Sequence, residues 1–513
     1  MSASGWFALA FPALLYFGLR WRHSRSKLPL PPGPKKLPLV GNLLDIPRER
    51  QWEAYHRWNK ELNSDIIHLD AAGTSIVVLS SMEAIQDLFE QRSSLYSGRP
   101  RLPMVVELMG WDFLSSLINY GDEWRSHRKL FHEAFNRSAA KQFHPQQITA
   151  VHEVLRRFLQ NPDDIMSHFR HMAGALIMDI AYGIKVLPSD DPYIQMAETA
   201  MHDASNASIP GAFLVDTFPA LKYVPSWFPG AGFKRKAKEW RKVVHEVLEK
   251  PFQETKRNIA MGTAHPSFTS LNLHNIDASE AFDLATQESL IKGVAATMYV
   301  AGADTTVSAL GTFILAMLAN PEAQMKAQGE IDSVIGPGNL PDFADEPSLP
   351  YVSAIVKEVL RWKNVGPIAF PHYIAVDDEY RGYRIPAGSL VIGNTWAILH
   401  DEVYLYLLHS LRHLSRQLSA GNNDFFLTET LIRRSEIQTQ LFGFGRRICP
   451  GRHMASATIW ITVASMLAAF DIKKAVDEES KVIEPSFEYS STGVISIPLP
   501  FQMYNNSALA TGG

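Results

Sequence analysis

The chain contains a single cysteine, Cys449, within a glycine-rich stretch that reads Phe-Gly-Phe-Gly-Arg-Arg-Ile-Cys-Pro-Gly over residues 442–451. One cysteine cannot form an internal disulfide or complete a four-thiolate metal site. A lone cysteine is most often a small buried apolar residue, but its neighbours here indicate a ligand site. The positive charge of Arg446 and Arg447 favours a thiolate. Glycines in the stretch leave room for a large flat ligand beside the backbone. They are Gly443, Gly445 and Gly451.

This stretch resembles the haem-binding loop of the cytochromes P450, whose pattern is F-x-x-G-x-R-x-C-x-G. The fixed positions all match, at Phe442, Gly445, Arg447, Cys449 and Gly451. The resemblance implies that Cys449 is the axial thiolate ligand of the iron of haem b, where it pushes electron density toward O–O cleavage. It also implies that Arg447 pairs with a haem propionate, that Phe442 packs beside the sulfur, and that Gly443 belongs to the cofactor-binding loop.

The composition favours a large packed protein and argues against nucleic acid as the main partner. Of the 513 residues, 46% are hydrophobic and 20% are charged, so we expect a sizeable core and no wholesale disorder. The net charge is -4, and there is no long basic run of the kind that binds nucleic acid. The near-absence of cysteine fits a reducing, cytosol-facing compartment.

The first residues of the chain predict a membrane anchor over residues 1–20. Residues 1–19 carry no charged side chain, and basic residues follow at Arg20, Arg22, Arg25 and Lys27. Because these charges come after the apolar segment, the positive-inside rule places the rest of the chain on the cytoplasmic side. A cleaved or interfacial segment is the alternative, since the segment is short for a span and contains Pro12. The P450 resemblance implies an endoplasmic reticulum anchor in contact with membrane lipid.

The remaining organisation follows from local composition and from the resemblance. Residues 21–36 are basic and proline-rich and predict a stiff hinge. The resemblance assigns residues 37–504 to a catalytic domain with the cytochrome P450 fold, which is mainly α with a small β region. Alternating residues over Ile66–Ser80 predict two short strands with a turn at Gly73. Residues 505–513 are small and polar and predict a disordered tail.

Further candidate haem contacts come from two other segments. Trp124 and Arg128 are four residues apart, so on a helix they share a face. Such a pair is by itself more often an exposed stack, but the resemblance implies contact with the haem propionates. The stretch Pro-Ile-Ala-Phe-Pro-His over residues 367–372 resembles the strand that passes the haem edge. In that comparison, His372 occupies the propionate-binding position.

A long apolar helix is predicted over Gln287–Leu318, with Ala-Gly-Ala-Asp-Thr-Thr at residues 301–306. Glycine and paired threonines lower the helix propensity in its middle, which close packing of helices would also explain. The resemblance implies an oxygen-activating groove in which Asp304 and Thr305 are the acid–alcohol pair. Oxygen activation consumes two protons, and a hydroxyl fed by a carboxylic acid through water can deliver them.

One helix pair follows the family pattern, and the segment after it does not. Glu358 and Arg361 are three residues apart and can pair on one helix face; the resemblance implies a buried structural pair rather than the commoner surface pair.

After this helix, the family has a proline-rich segment whose arginine completes an ion-pair network with the Glu358–Arg361 pair, whereas residues 402–440 of this chain contain no proline. Arg412 and Arg416 are the candidate replacements. Real divergence and a mis-spliced or frame-shifted reading are both open, and the abrupt change in composition favours the second. A buried pair without its partner loses on the order of 3–5 kcal/mol.

The reaction implied by the resemblance inserts one oxygen atom of O₂ into a C–H bond of a lipophilic small molecule and releases water. Electrons would come from NADPH through cytochrome P450 reductase, with cytochrome b5 as a further expected partner. Basic residues that could form part of the docking face are Arg125, Lys129 and Arg446, although solvated surface charge is the commoner explanation. Apolar candidates for the substrate pocket are Met104, Val105, Met298, Ala301, Val365, Ile368 and Val494.

The sequence is similar to basidiomycete P450s of secondary metabolism, a group that includes terpenoid, aromatic and indole hydroxylases. Its proline- and aromatic-rich breaks near residues 208–230 resemble the pocket lid of fungal P450s. An alternative function is a haem-binding protein without turnover, because residues 402–440 depart from the pattern. A P450-fold isomerase or dehydratase is less favoured, because such enzymes need no proton-delivery pair.

Overall fold

The computed structural model describes residues 28–162, 164–209, 211–276, 284–401, 441–490 and 495–507. The predicted anchor over residues 1–20 and the unusual segment 402–440 lie outside the described residues. In the part that is described, the protein is mostly helical with little strand. The prediction of a mainly α chain with a small β region is therefore confirmed.

The longer helices carry the core and the candidate site. In chain order they are α1 (Gln51–Leu62), α2 (Asp122–Phe135), α3 (His144–Gln160), α4 (Ile165–Tyr182), α5 (Pro192–Ala207), α6 (Gly232–Ala260), α7 (Leu284–Ala319), α8 (Pro321–Ile335), α9 (Pro350–Trp362) and α10 (Arg452–Ala469). Shorter α-helical segments are Met82–Ile85, Ser93–Tyr96, Leu214–Thr217, Phe268–His274 and Thr395–Leu399. Single π turns cover Gln86–Gln91 and Pro103–Leu108, and 3₁₀ turns cover Ala139–Phe143, Pro219–Tyr223, Phe343–Ser348 and Gly445–Arg447.

Local sequence explains where several helices begin and end. Asp191 precedes α5, and its carboxylate accepts hydrogen bonds from the backbone of Tyr193 and Ile194, which satisfies amide groups that have no partner inside the helix. A proline occupies the first turn of α5, α8 and α9, where its missing N–H costs nothing. Helix α4 ends at Gly183 with φ of 69°, the left-handed conformation that glycine adopts without strain.

The strands form one four-stranded sheet and three two-stranded ones. Their bounds are β1 (Ile66–Ala71), β2 (Thr74–Leu79), β3 (His372–Tyr373), β4 (Asp378–Tyr380), β5 (Tyr383–Ile385), β6 (Leu390–Gly393), β7 (Phe470–Lys474), β8 (Tyr489–Ser490), β9 (Ile497–Pro498) and β10 (Met503–Ser507). The larger sheet has the order β1-β2-β6-β3, with β2 and β6 parallel and the other neighbours antiparallel. The pairs β7–β10, β4–β5 and β8–β9 are antiparallel.

Helix α7 runs through the core and packs along α4, α10 and α5. It is long and apolar enough to cross a membrane, but 78% of its most apolar window is buried inside the protein, so it is a core helix. Leu310, Phe313 and Ile314 are fully buried, and each such side chain contributes about 1.5–3 kcal/mol relative to exposure. Asp304 and Thr305 lie in the middle of this helix, so the core holds their backbone in a fixed position.

Three local predictions can be compared with the structure. The two strands with a turn at Gly73 are confirmed as β1 and β2. The described part of the hinge lies against the larger sheet. The Pro32 carbonyl accepts a hydrogen bond from the backbone N–H of His68. A Cβ on Gly33 would lie 2.0 Å from the His68 carbonyl oxygen, so the backbones are in close contact. Strand β10 pairs with β7 as far as Ser507. The strand thus includes three residues that we expected in the disordered tail, and residues 508–513 lie outside the described part.

Candidate active site

The loop that carries Cys449 folds back on itself. The backbone N–H of Cys449 donates to the carbonyl of Phe442 at 2.8 Å, and Gly443 and Gly445 have φ of 86° and 56°, values that favour glycine. A Cβ on Gly445 would lie 1.9 Å from the Phe89 carbonyl oxygen. Gly445 therefore allows the close approach of another part of the chain, whereas we had expected it to make room for a ligand.

Around the Gly451 end of the loop, the sulfur has open space beside it and groups of opposing effect on its pKa, of which burial is the largest. A Cβ on Gly451 would meet no atom within 4 Å, so this end is open. Burial raises the pKa of the Cys449 thiol, while the backbone N–H groups of Gly451 and Arg452 and the charges of Arg128 and Arg452 act to lower it. Backbone donors and positive charge stabilise the thiolate, which is the form that binds iron.

Helix α2 holds the loop through the two residues that precede the cysteine. Trp124 and Arg128 share a face of α2, as their spacing predicts. The Arg128 guanidinium donates to the Ile448 carbonyl at 2.6 Å, and the Arg447 guanidinium lies 4.6 Å from the centre of the Trp124 ring. The structure therefore brings Trp124, Arg128 and Arg447 together around Cys449.

Buried basic side chains converge beside this loop. Burial lowers the pKa of Arg99 to about 9 and that of Arg447 to about 10, with the Arg447 charge adding to the effect on Arg99. Burial and the charges of both arginines hold the pKa of His372 well below its usual value. No carboxylate of a described residue contributes to these shifts. Three basic groups without an acidic partner are suited to a ligand that carries carboxylates.

Backbone carbonyls orient each of these groups. Arg447 donates to the carbonyls of Ser97 and Ile118, each at 2.9 Å. Arg99 donates to the carbonyls of Ser116 and Pro371, each at 2.8 Å. The Nδ1–H of His372 donates to the Tyr96 carbonyl at 2.5 Å, and its ring stacks on Phe89 at 4.0 Å. Sequence reasoning missed Arg99, because a single arginine in a loop carries no local signal of its burial.

These residues fit a haem, which the cytochrome P450 family binds through a cysteine thiolate. A half-buried cysteine at an open end of its loop can supply the axial ligand, and the charges of Arg99 and Arg447 can balance two propionates, with the His372 ring beside them. When bound, such a haem supplies the redox chemistry that activates dioxygen. The protein supplies the ligand, the neutralising charges and the proton donors.

The middle of α7 provides the candidate proton donors. The Thr305 hydroxyl donates to the Ala301 carbonyl at 2.8 Å, and Ala301 is exposed although the helix around it is buried. A Cβ on Gly302 would lie 3.1 Å from the Ile177 side chain. Close packing against α4 thus accounts for the glycine, while Ala301 and Thr305 lie on an open side. Burial raises the pKa of Asp304 above its ordinary value.

Glu358 and Arg361 form a buried ion pair on α9. Two hydrogen bonds join them at 2.7 and 2.8 Å, and their side chains are 0% and 1% exposed. Arg361 also donates to the Leu399 carbonyl at 3.2 Å. The pair is buried, as the resemblance implied, and it connects α9 to the chain just before residues 402–440.

The structure distributes the apolar pocket candidates among different clusters. Met104, Val105 and Met298 are buried in one cluster with parts of α4, α5 and α6. Val365 packs against the core cluster around α7 and α10, and Ile368 packs against the cluster beside the larger sheet. Ala301 lies on the open side of α7, and Val494 lies outside the described residues. Their role as a pocket wall therefore stays a prediction.

Polar contacts hold the Met104 segment to the lid region. The Asp216 carboxylate accepts from the backbone N–H of Met104 at 2.9 Å, and burial raises the pKa of Asp216 to about 6. Glu107 pairs with Lys222 at 2.6 Å, and Arg241 on α6 donates to the Glu107 carbonyl at 3.1 Å. Sequence reasoning did not predict these contacts, which join residues far apart in the chain.

The predicted basic face lies on the α2 side of the loop. Arg125 and Arg446 lie 5.4 and 5.2 Å from the centre of the Tyr120 ring, and both are exposed. Lys129 is exposed one turn along α2 from Arg125. Arg125 also pairs with Asp122 at 2.5 Å. The exposed cations therefore lie on α2 and on the loop that carries Cys449.

Comparison with known proteins gives the family. The sequence model of the cytochrome P450 family matches residues 31–406 and 421–503. The chain is 46% identical over 499 residues to cytochrome P450 monooxygenase 98 of Postia placenta, covering 96% of this chain and 92% of the relative. It is 44% identical to cytochrome P450 monooxygenase ple1 of Rhodocybe pseudopiperita, covering 93% and 89%. It is 41% identical to the tryptamine 4-monooxygenase of Psilocybe cyanescens, covering 96% of both chains.

The match to the family extends over the cysteine loop, the proton-donor helix and the buried Glu358–Arg361 pair, and it omits residues 407–420. Those residues lie inside the segment that we identified as unusual. From its sequence, its helical architecture and its basidiomycete relatives, the chain belongs to the cytochrome P450 family and is an enzyme of the monooxygenase kind.

Proposed function

We propose that this protein is a haem-thiolate monooxygenase that oxidises a lipophilic small molecule in fungal secondary metabolism, with Cys449 as the axial ligand. It would take electrons from NADPH through cytochrome P450 reductase, with cytochrome b5 as a second donor. The observation that carries the proposal is the position of Cys449, half-buried among backbone donors and arginines, in a loop whose preceding residues Arg447 and Ile448 are held by α2. Among the described residues, the arginines beside it have no carboxylate contributing to their pKa values, which suits the haem carboxylates.

The residues of α7 support turnover as opposed to haem binding alone. Asp304 and Thr305 are neighbours, and the raised pKa of Asp304 means that its neutral, proton-donating form persists to a higher pH than that of an exposed aspartate. Thr305 lies on the open side of the helix beside Ala301. An acid adjacent to a hydroxyl is the arrangement that proton delivery requires.

The substrate class follows from the pocket candidates and from the relatives. Met104, Val105 and Met298 are apolar and buried in one cluster, so a lipophilic substrate is favoured. One relative is named a tryptamine 4-monooxygenase, which supports aromatic or indole compounds as one candidate class, with terpenoids as the other. We also propose an endoplasmic reticulum location through an anchor at residues 1–20, supported by the apolar segment followed by four basic residues.

The alternative is a protein that binds haem but does not turn over. The observation in its favour is that the family match omits residues 407–420, next to the chain that Arg361 contacts at Leu399. An altered sequence in that segment would weaken the contacts that hold α9 in place. The two functions differ in whether NADPH is consumed with formation of product.

The experiment is a turnover screen of the full chain with reductase and NADPH in microsomes. Indole amines and terpenoids are supplied separately, and mass spectrometry detects products that have gained one oxygen atom. We expect such a product from one class and none without NADPH. A protein that binds haem fully but yields no oxidised product from either class would favour the alternative.

A further inference from the structure

A small cleft lies between Asp304 and charged residues on two neighbouring helices. Its volume is about 10 Å³, close to the smallest space that holds one water molecule. Asp304 on α7, Arg170 on α4 and Glu198 on α5 provide its charged wall. The other lining residues are Gly174, Ile194, Ala197, Tyr299 and Ala303.

The charged residues differ in their access to solvent. Arg170 and Glu198 form an ion pair at 3.5 Å, and their side chains are 36% and 42% exposed. Asp304 is much more buried, and in the part of the chain that the structure describes no hydrogen bond to it contributes to its pKa. Glu198 therefore lies on the solvent side of the space, while Asp304 directly precedes Thr305 on α7.

Charged groups on the helices that pack against α7 shift the pKa of Asp304. Arg170 from α4 lowers its pKa and Glu198 from α5 raises it, after the larger effect of burial. On α7 itself, the titratable group in the wall is Tyr299, whose hydroxyl donates to the Tyr193 carbonyl. The Tyr299 proton is thus already directed away from the space.

We propose that the Arg170–Glu198 pair and the water-sized space behind it are the entry route for the protons that Asp304 passes to Thr305. The proposal rests on the monooxygenase function proposed above. In each turnover, two electrons and two protons are consumed as one atom of O₂ enters the substrate and the other leaves as water. A proton from solvent reaches Glu198, crosses one water to Asp304, and replaces the proton that Asp304 gives toward the Thr305 hydroxyl; no electron moves on this route.

A purely structural role would give different results. In that case the ion pair would only tie α4 to α5, as a weak exposed pair. Its loss would then leave the use of protons unchanged. The two roles are therefore separated by measurements that respond to proton transfer.

The first experiment compares E198Q, A197V and E61Q in microsomes with reductase and NADPH. A197V fills the space without changing a charge, since Ala197 is buried in its wall. E61Q is the matched control, because Glu61 pairs with Arg57 at 3.8 Å on exposed α1. The quantities measured are product formed per NADPH consumed and the ratio of turnover in H₂O and D₂O.

We expect E198Q and A197V to lower product per NADPH by at least about threefold, less than the roughly 100-fold effect of removing a direct acid. Both should raise the solvent isotope effect, and E198D should restore much of the loss. Haem content, substrate binding and peroxide-driven turnover should match wild type in every variant. Wild-type values in E198Q and A197V would overturn the proton route, whereas no turnover in wild type would overturn the proposed function instead.

A second readout needs no turnover. Infrared spectra of the purified protein at different pH values contain a carboxylic acid C=O band for Asp304, assigned by its loss in D304N. We expect its midpoint to rise in R170M and fall in E198Q by on the order of one pH unit, because the two charges act in opposite directions. A midpoint that moves in neither variant would show that the pair does not act on Asp304.

Discussion

The guanidinium of Arg447 lies over the Trp124 ring, 4.6 Å from its centre. One turn along the same face of α2, Arg128 donates to the carbonyl of Ile448 at 2.6 Å. The residues immediately before Cys449 are thus held by one helix face. The position of the cysteine sulfur depends on α2 as much as on the loop itself.

Replacing Trp124 with Ala should therefore loosen the cysteine loop. Trp124 is 8% exposed, and removing a buried tryptophan costs on the order of 3–5 kcal/mol. We expect W124A to lower the free energy of unfolding in urea by this amount and to lower the haem-to-protein ratio, while W124F retains most of both. W227A is the control, because Trp227 is 78% exposed. Full haem content in W124A would show that this contact does not position the loop.

We expect Glu358 and Arg361 to stabilise the protein only when both are present. E358Q removes the carboxylate that pairs with the buried Arg361 guanidinium, at a cost of about 3–5 kcal/mol. The double variant E358L/R361M should recover part of that loss, since apolar residues can replace a buried ion pair. Chemical denaturation measures both, with E246Q as the control because Glu246 and Lys250 form an exposed pair. Equal effects of E358Q and E246Q would contradict a structural role for the buried pair.

Sequence patterns anticipated the parts of this site that depend on short spacing. The Cys449 loop, the Trp124–Arg128 face and the Glu358–Arg361 pair each lie within ten or fewer consecutive residues, and helix geometry then fixes their relation. The two strands around Gly73 were equally local. These features follow from the periodicity of a single segment.

Contacts between distant segments could not be derived in the same way. Arg99 is buried beside Arg447 although the two are far apart in sequence, and Arg170 meets Glu198 across two helices. The role of Gly445 could not be predicted either, because it depends on close contact with the backbone of Phe89, and no local sequence pattern reveals that contact. Such relations arise from tertiary packing, so they required the fold.

The pH dependence of stability should include a contribution from Asp216. Burial raises its pKa from 3.8 to about 6. The folded protein therefore binds more protons than the unfolded chain between those values, and stability falls as the pH rises through that range. We expect D216N, which keeps an oxygen acceptor for the Met104 N–H, to gain up to about 3 kcal/mol relative to wild type at neutral pH. Near pH 4 the two proteins should be nearly equal.

Urea unfolding at several pH values measures this difference. D203N serves as the control, because Asp203 lies beside His202 on α5 and is not part of the Asp216–Met104 contact. A D216N protein whose stability relative to wild type is the same at neutral and acidic pH would argue against a burial cost at Asp216.

Loss of the Thr305 hydroxyl should divert electrons from product to peroxide. Thr305 lies on the open side of α7, so T305V removes the hydroxyl that receives protons while leaving the buried core intact. We expect T305V to release more hydrogen peroxide per NADPH, by about tenfold or more, and T305S to restore coupling. T306V is the matched control, since Thr306 is buried on the same helix. Unchanged peroxide release in T305V would remove Thr305 from the proton route.

The most direct test of the account is the carbon monoxide difference spectrum of the dithionite-reduced protein in microsomes, recorded for wild type and for C449A. We expect a strongly red-shifted Soret band in wild type, because thiolate ligation through Cys449 produces it, and its loss in C449A. A wild-type band at the position of imidazole-ligated or free haem, or a red-shifted band that persists in C449A, would contradict Cys449 as the ligand of the haem iron.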